Sequence, residues 1–174
     1  MWLKLRQQIL DIPEATFEVL KRLKYLQHVI NETLRLNPPV SNMRRIALCD
    51  TVLPTGGGTN RDATVFVSKG TIVSSAFFKL HRNKAIYGED VGLWRPERWD
   101  NLNISGLTWN FMPFGGGPHA CPGQQLALNR VSYTIVRLLK SFHRIENRDP
   151  VREFVPVQKL LTASQNGTKV ALFT

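Results

Sequence analysis

Between Pro13 and Leu36 the apolar residues Phe17, Leu20, Leu23, Leu26, Val29, Ile30 and Leu34 recur at three and four. That spacing predicts one or two helices with a single buried face. Pro38 and Pro39 end the run, because the residue before a proline is pushed out of helical geometry and each ring removes a backbone donor. Ile46 to Leu53, Val65 to Val67 and Thr71 to Val73 are β-branched stretches broken by Gly56-Gly57-Gly58 and Lys69-Gly70. They predict a small antiparallel sheet with tight turns, followed by a short helix over Ser74 to Leu80. From His81 to Gly123 neither period holds, and Pro96, Pro113, Pro118 and Pro122 stand among several glycines. A structured loop of that length is commonly a binding element. Periodicity returns from Gly123 to Phe142, where Ala127, Val131, Ile135, Leu138, Leu139 and Phe142 mark the stripe of a second strong helix. Pro156 to Phe173 reads as two short strands joined by an Asn166-Gly167 hairpin turn.

Composition narrows the class. The 174 residues are 43% hydrophobic, enough for one globular core and unlike a disordered chain. Cys49 and Cys121 are too few for a disulfide framework, and no CxxC suggests zinc or thiol exchange. The longest apolar stretch, Thr71 to Phe78, is far too short to span a bilayer. A formal net charge of +10 raises nucleic acid, anionic lipid or an acidic protein as partners. The densest cluster, Lys21, Arg22 and Lys24, has no interleaved aromatic residues, so a solvated basic surface is the favoured reading.

The most specific stretch runs from Phe111 through Phe114-Gly115-Gly116-Gly117-Pro118-His119-Ala120-Cys121-Pro122-Gly123 to Gln125, a glycine-dense loop that delivers one cysteine to a helix. Pro122 suits a first helical position, which would set Cys121 at the helix N-terminus, where unpaired amides favour an anionic sulfur. Consecutive glycines let a large flat ligand approach the main chain, with Phe114 against its face. Elsewhere, Glu32 and Arg35 share a helical face, and a guanidinium can take a carboxylate through two parallel bonds.

The pattern Phe114-x-x-Gly117-x-His119-x-Cys121-x-Gly123 closely resembles the haem-binding loop of the cytochromes P-450, the haem-thiolate monooxygenases. Glu32-Thr33-Leu34-Arg35 and Pro96-Glu97-Arg98-Trp99 resemble the same family and follow in its order. The resemblance implies a mainly α fold with small antiparallel β-sheets (α+β), the C-terminal haem-binding part of the family's fold, truncated. It divides the chain into helices over 1–36, a small-sheet region over 37–80, a meander with the cysteine loop over 81–123, a helix over 123–143 and a terminal hairpin over 144–174. The implied cofactor is haem b, with Cys121 as axial iron ligand, Phe114, Gly115, Gly117 and Gly123 shaping the loop, and His119 and Arg45 meeting the propionates. His119 stands where the family most often has Arg, and Arg44 competes with Arg45. Glu32, Arg35 and Arg98 would form a buried network that locks the loop. Val40, Ser41 and Asn42, with Leu161 in the segment Leu160 to Ser164, match substrate-facing positions, for which ordinary loop packing is an equal reading.

His81-Arg82, Tyr87-Gly88 and Leu53-Pro54-x-Gly56-Gly57-Gly58 are similar to the fungal branch that hydroxylates alkanes and fatty acids. His81 itself reads as a packed or capping histidine, His28 and His143 as surface residues at helical positions, and Cys49 as an ordinary cysteine. The implied reaction inserts one oxygen atom from O₂ into a C–H bond of an apolar small molecule, with electrons from an acidic NADPH-dependent flavoprotein reductase. Complete members carry an upstream helix with an acid-alcohol pair and an N-terminal membrane anchor that would hold them on the cytoplasmic face of the endoplasmic reticulum. No segment here matches either, so membrane association would come only through an anchor absent from this chain. Three readings stay in view: a monooxygenase portion, a haem-binding fragment or pseudoenzyme without turnover, and a basic interaction protein without haem. No nucleic-acid motif supports a nucleic-acid partner.

Overall fold

A computed structural model describes residues 2–102, 104–151 and 153–174. Three helices open the chain: α1 (Trp2–Leu10), α2 (Phe17–Arg22) and α3 (Lys24–Leu36). The Thr16 hydroxyl accepts the Val19 amide at the start of α2, and Leu23 leaves helical geometry between α2 and α3, which turns the expected stripe into two helices. Helix α3 stops at Leu36, just before the double proline.

Strands β1 (Asn42–Ile46), β2 (Thr51–Gly57), β3 (Ala63–Val67) and β4 (Ile72–Ala76) follow, then the short helices α4 (Phe77–Leu80) and α5 (Lys84–Tyr87). A 3₁₀ turn over Pro96–Asp100, helix α6 (Ile104–Leu107) and two further 3₁₀ turns lead to the long helix α7 (Gln124–Ser141). Strands β5 (Arg144–Asn147), β6 (Pro156–Gln158), β7 (Thr162–Ser164) and β8 (Val170–Phe173) close the chain. Among the described residues the strands form two-stranded antiparallel sheets, β1 with β4, β2 with β3, β5 with β8 and β6 with β7.

The main core joins α1, α2, α3 and α7 through Leu5, Ile9, Leu20, Leu26, Ile30, Val136 and Leu139. A second core sits inside the aperiodic region, where Tyr87, Val91, Trp99 and Leu107 are buried together. The segment expected to be loop thus folds on its own aromatic residues. No described helix is long and apolar enough to cross a membrane.

Several expectations are corrected. Ile46 to Leu53 is not one strand: the chain turns between β1 and β2, where the Asp50 carboxylate accepts the Lys69 amide at 2.7 Å. Ser74 to Ala76 belongs to β4, so the helix expected from Ser74 starts only at Phe77. The terminal segment is not one hairpin around Asn166-Gly167. β6 pairs with β7 around Lys159 to Leu161, and the turn at Gly167 carries the chain to β8, which pairs back with β5. His28 is buried rather than on the surface, at 5% exposure on the inward face of α3, and His143 is exposed but lies beyond the end of α7.

Candidate functional site

Glu32 sits at the middle of a closed polar cluster. Its Oε2 accepts Nε of Arg35 at 2.9 Å and its Oε1 accepts Nη2 of Arg35 at 2.9 Å, the parallel pair that helical spacing allows. Oε1 also accepts Nε of Arg98 at 2.8 Å and the Arg95 amide at 2.9 Å, and Oε2 accepts the Trp99 indole N–H at 3.0 Å. Glu32 and Arg35 are fully buried and Arg98 nearly so. Burial alone would push the Glu32 carboxyl up, but the bonds from Arg35, the Arg95 amide and Arg98 outweigh it and hold the pKa below the ordinary carboxylate value.

The remaining guanidinium N–H groups bind the aperiodic segment. Arg35 donates through Nη1 to the carbonyls of His81 and Val91, both at 2.9 Å, and through Nη2 to that of Leu93 at 3.3 Å. Arg98 donates to the carbonyls of Tyr87, Asp90 and Leu93 and to the Asp90 carboxylate at 3.2 Å. The five donors of each of the two buried guanidiniums find acceptors, the condition under which buried ions are tolerated, and the partly exposed Asp90 carboxylate also pairs with Arg95 at 3.0 Å. Sequence reasoning brought in Glu32, Arg35 and Arg98 as a network but not Asp90 or the carbonyls, and it quoted Trp99 in a motif without a part in that network. Asp90 carries no motif signal, and a carbonyl has none.

Cys121 lies on the loop before α7, and its position corrects one expectation. Helix α7 begins at Gln124 with Gly123 as its cap, so Pro122 is not the first helical residue and Cys121 occupies the preceding turn, where its carbonyl accepts the Gln124 amide. The Cys121 amide returns to the Phe114 carbonyl at 2.9 Å, which closes the loop on itself. The thiol is exposed and free. Gly115 and Gly117 have φ of +76° and +66°, a region that other residues rarely enter. Gly116 was not singled out from sequence, yet it makes the tightest approach: a Cβ there would stand 2.5 Å from the Trp109 ring. A Cβ on Gly123 would come within 3.8 Å of the Cys121 sulfur.

Phe114 is half-buried and lines an apolar cavity of about 280 Å³ between α3 and α7, with Val29, Ile30, Leu34, Ala127 and Val131 among its other walls. His119 is exposed in the 3₁₀ turn Gly117–His119. Arg44 and Arg45 are both exposed on β1, and Arg45 donates to the Arg44 carbonyl at 2.9 Å. Cys49 is exposed in the turn after β1.

The segments 39–42 and 158–162 meet. The Pro39 carbonyl accepts the Thr162 amide at 2.7 Å, and the buried Ser41 hydroxyl donates to the Gln158 side chain at 2.7 Å. Ser41 and Asn42 line a second cavity of about 270 Å³ there, whereas Val40 and Leu161 are not among its walls.

The chain matches the Cytochrome P450 family over residues 4–169. It belongs to that family. It is 43% identical to cytochrome P450 monooxygenase himC of Aspergillus japonicus over 99% of its own length and 31% of that protein's. It is 39% identical to cytochrome P450 52A12 of Debaryomyces hansenii over 99% of this chain and 35% of that protein. With cytochrome P450 52A1 of Candida tropicalis it shares 43% identity over 93% of this chain and 30% of the relative. The chain therefore spans about a third of the length of these curated relatives.

Haem is the cofactor of this family. The described residues suit it: Cys121 offers an exposed soft donor, and the loop that carries it places Phe114 on the wall of an apolar cavity.

Proposed function

We propose that this chain is the haem-holding portion of a monooxygenase acting on an apolar substrate, with Cys121 as the axial ligand of the iron. The observation that carries the reading is the exposed Cys121 thiol on a loop closed by its own hydrogen bonds. That loop leaves a segment which Arg35 and Arg98 pin through buried bonds to carbonyls. Among the described residues no cluster of three His, Cys, Asp or Glu side chains is placed to hold a bare metal ion.

Held by the Cys121 thiolate, haem would supply the cleavage of O₂, with one oxygen atom entering a C–H bond and the other leaving as water with two electrons from the reductase and two protons. The protein presents the sulfur, keeps the glycine collar free of side chains, and offers Phe114 and Ala127 as apolar contacts. His119 and either Arg45 or Arg44 are the donors proposed for the propionates, since all three are exposed. The meeting of 39–42 with 158–162 supports these segments as part of a substrate wall. An alkane or fatty acid is the substrate class that the fungal-branch resemblance implies. An acidic reductase suits the net charge of +10, and low salt should speed that encounter.

Hemin titration of the chain, followed by reduction under carbon monoxide, tests the reading. A thiolate-type Soret band that disappears in Cys121→Ala is expected. A band unchanged by that substitution would remove Cys121 from the iron. Oxidation of an aliphatic substrate with a reductase then separates an enzyme portion from a haem-binding part without turnover.

A further inference from the structure

His81 is fully buried between two aromatic rings, stacked on Phe77 at 6.2 Å between centroids and tilted against Phe111 at 5.3 Å. Its two polar ends face different partners. The backbone carbonyl accepts Nη1 of Arg35 at 2.9 Å, and the ring Nε2 accepts the Met112 amide at 2.9 Å. An amide N–H only donates, so Nε2 carries the lone pair and the ring proton is on Nδ1. Nδ1 is buried and has no partner among the described residues.

We propose that His81 is a positioning residue for the cysteine loop, joining the Glu32–Arg35 ion pair through its carbonyl to the first turn of that loop through its ring. Onward from Met112, the carbonyl of the same residue accepts the Gly115 amide at 3.1 Å, and Phe114 between them accepts the Cys121 amide at 2.9 Å. A continuous set of hydrogen bonds thus runs from Arg35 to Cys121. A phenyl ring would fill the space between Phe77 and Phe111 without leaving a ring nitrogen unpaired, but it would take the acceptor away from the Met112 amide. Among the described residues the hydrogen bond that the imidazole ring makes is acceptance from Met112, for which it leaves Nδ1 unpaired. Burial, together with the positive charges of Arg35 and Arg82, keeps the ring neutral and the acceptor available.

The proposal rests on Cys121 as the iron ligand, and its test is built to fail separately from that reading. His81→Phe removes the acceptor; His81→Gln keeps one at about the place of Nε2. In the whole chain with added hemin, the Phe variant is expected to bind roughly tenfold more weakly and to lose the thiolate-type Soret band under carbon monoxide, while the Gln variant restores it. Amide exchange at Met112 gives a second reading that needs neither variant to fold nor hemin to bind: protection is expected in the unaltered chain. A folded Phe variant with unaltered affinity and spectrum, a folded Gln variant no better than Phe, or an unprotected Met112 amide in the unaltered chain would each overturn it. An unaltered chain without any thiolate band would instead overturn the haem reading, and this proposal with it.

Discussion

Glu32 and Arg98 are 66 positions apart in the chain and meet through an Nε to Oε1 bond of 2.8 Å, both side chains out of contact with water. That bond is one of several that tie helix α3 to the aperiodic segment, beside the Trp99 indole bond to the same carboxylate at 3.0 Å and the Arg35 bonds to the carbonyls of His81, Val91 and Leu93. Helix α3 shares the main core with α7, which follows Cys121 directly.

Removing one partner strands a buried charge, at a cost of roughly 3–5 kcal/mol. Glu32→Ala is therefore expected to lower the melting temperature by about 10 °C or more for a chain of this size and to abolish hemin incorporation. Arg98→Lys should lose most of that stability as well, because an ammonium cannot reach Glu32, Asp90 and the carbonyls of Tyr87 and Leu93 together. Thermal unfolding followed by circular dichroism decides it; a Glu32→Ala chain that melts with the unaltered one would contradict the buried network.

Cys121 should matter to the iron and not to the fold. Its thiol is free and exposed, so Cys121→Ser should leave the free energy of unfolding within about 0.5 kcal/mol of the unaltered chain while the thiolate-type band disappears. A large loss of stability in the serine variant would mean that the sulfur holds the loop rather than a ligand.

The collar tolerates no side chain at Gly116. Gly116→Ala would place a methyl 2.5 Å from the Trp109 ring, so the loop or the exposed Trp109 ring must shift, and hemin affinity should fall roughly tenfold. Gly92→Ala meets nothing within 4 Å and has no positive φ, which makes it the control. Equal hemin titrations for the two variants would show that the loop gives way without consequence.

Acid should destabilise the chain well above the carboxylate range. The folded pKa of His81, lowered from 6.5 to about 4 by burial and then by Arg35, lies beneath its unfolded value. Its contribution is present above pH 6.5 and is lost as pH falls toward about 4. His28, whose pKa is lowered chiefly by burial, acts in the same direction. Glu32 adds to the loss only at lower pH, below its ordinary value of 4.5. Urea midpoints measured from neutral pH down to about 4 should fall, and in His81→Gln they should fall less; parallel curves for the two chains would remove His81 as the titrating group.

The helices of the core were legible because a buried stripe repeats every three to four residues, as Leu26 and Ile30 do in α3; in α7 the face was offset, since Ser132, Val136 and Leu139 are the buried residues while the expected Val131 is exposed. Strand partners were not legible. The Asn166-Gly167 turn signals a reversal, but whether β8 pairs with β7 or returns to β5 depends on which edge is open nearby, and the structure chooses β5. The same limit hid the burial of His28, whose neighbours on the aperiodic segment are distant in sequence.

Residue chemistry at short spacing was fixed by the chain alone. Glu32 and Arg35 are three apart on one helix, and the glycines and Cys121 share one loop, so local geometry sufficed to pair or group them. What decided the rest was the folding of the aperiodic segment around Trp99. It carried Arg98 into Glu32, turned the carbonyls of His81, Val91 and Leu93 toward Arg35, and set the Met112 amide on the His81 ring. A carbonyl or an amide is the same group in every residue, so its use as a partner leaves no trace in sequence and comes into being only when buried donors and acceptors must satisfy one another.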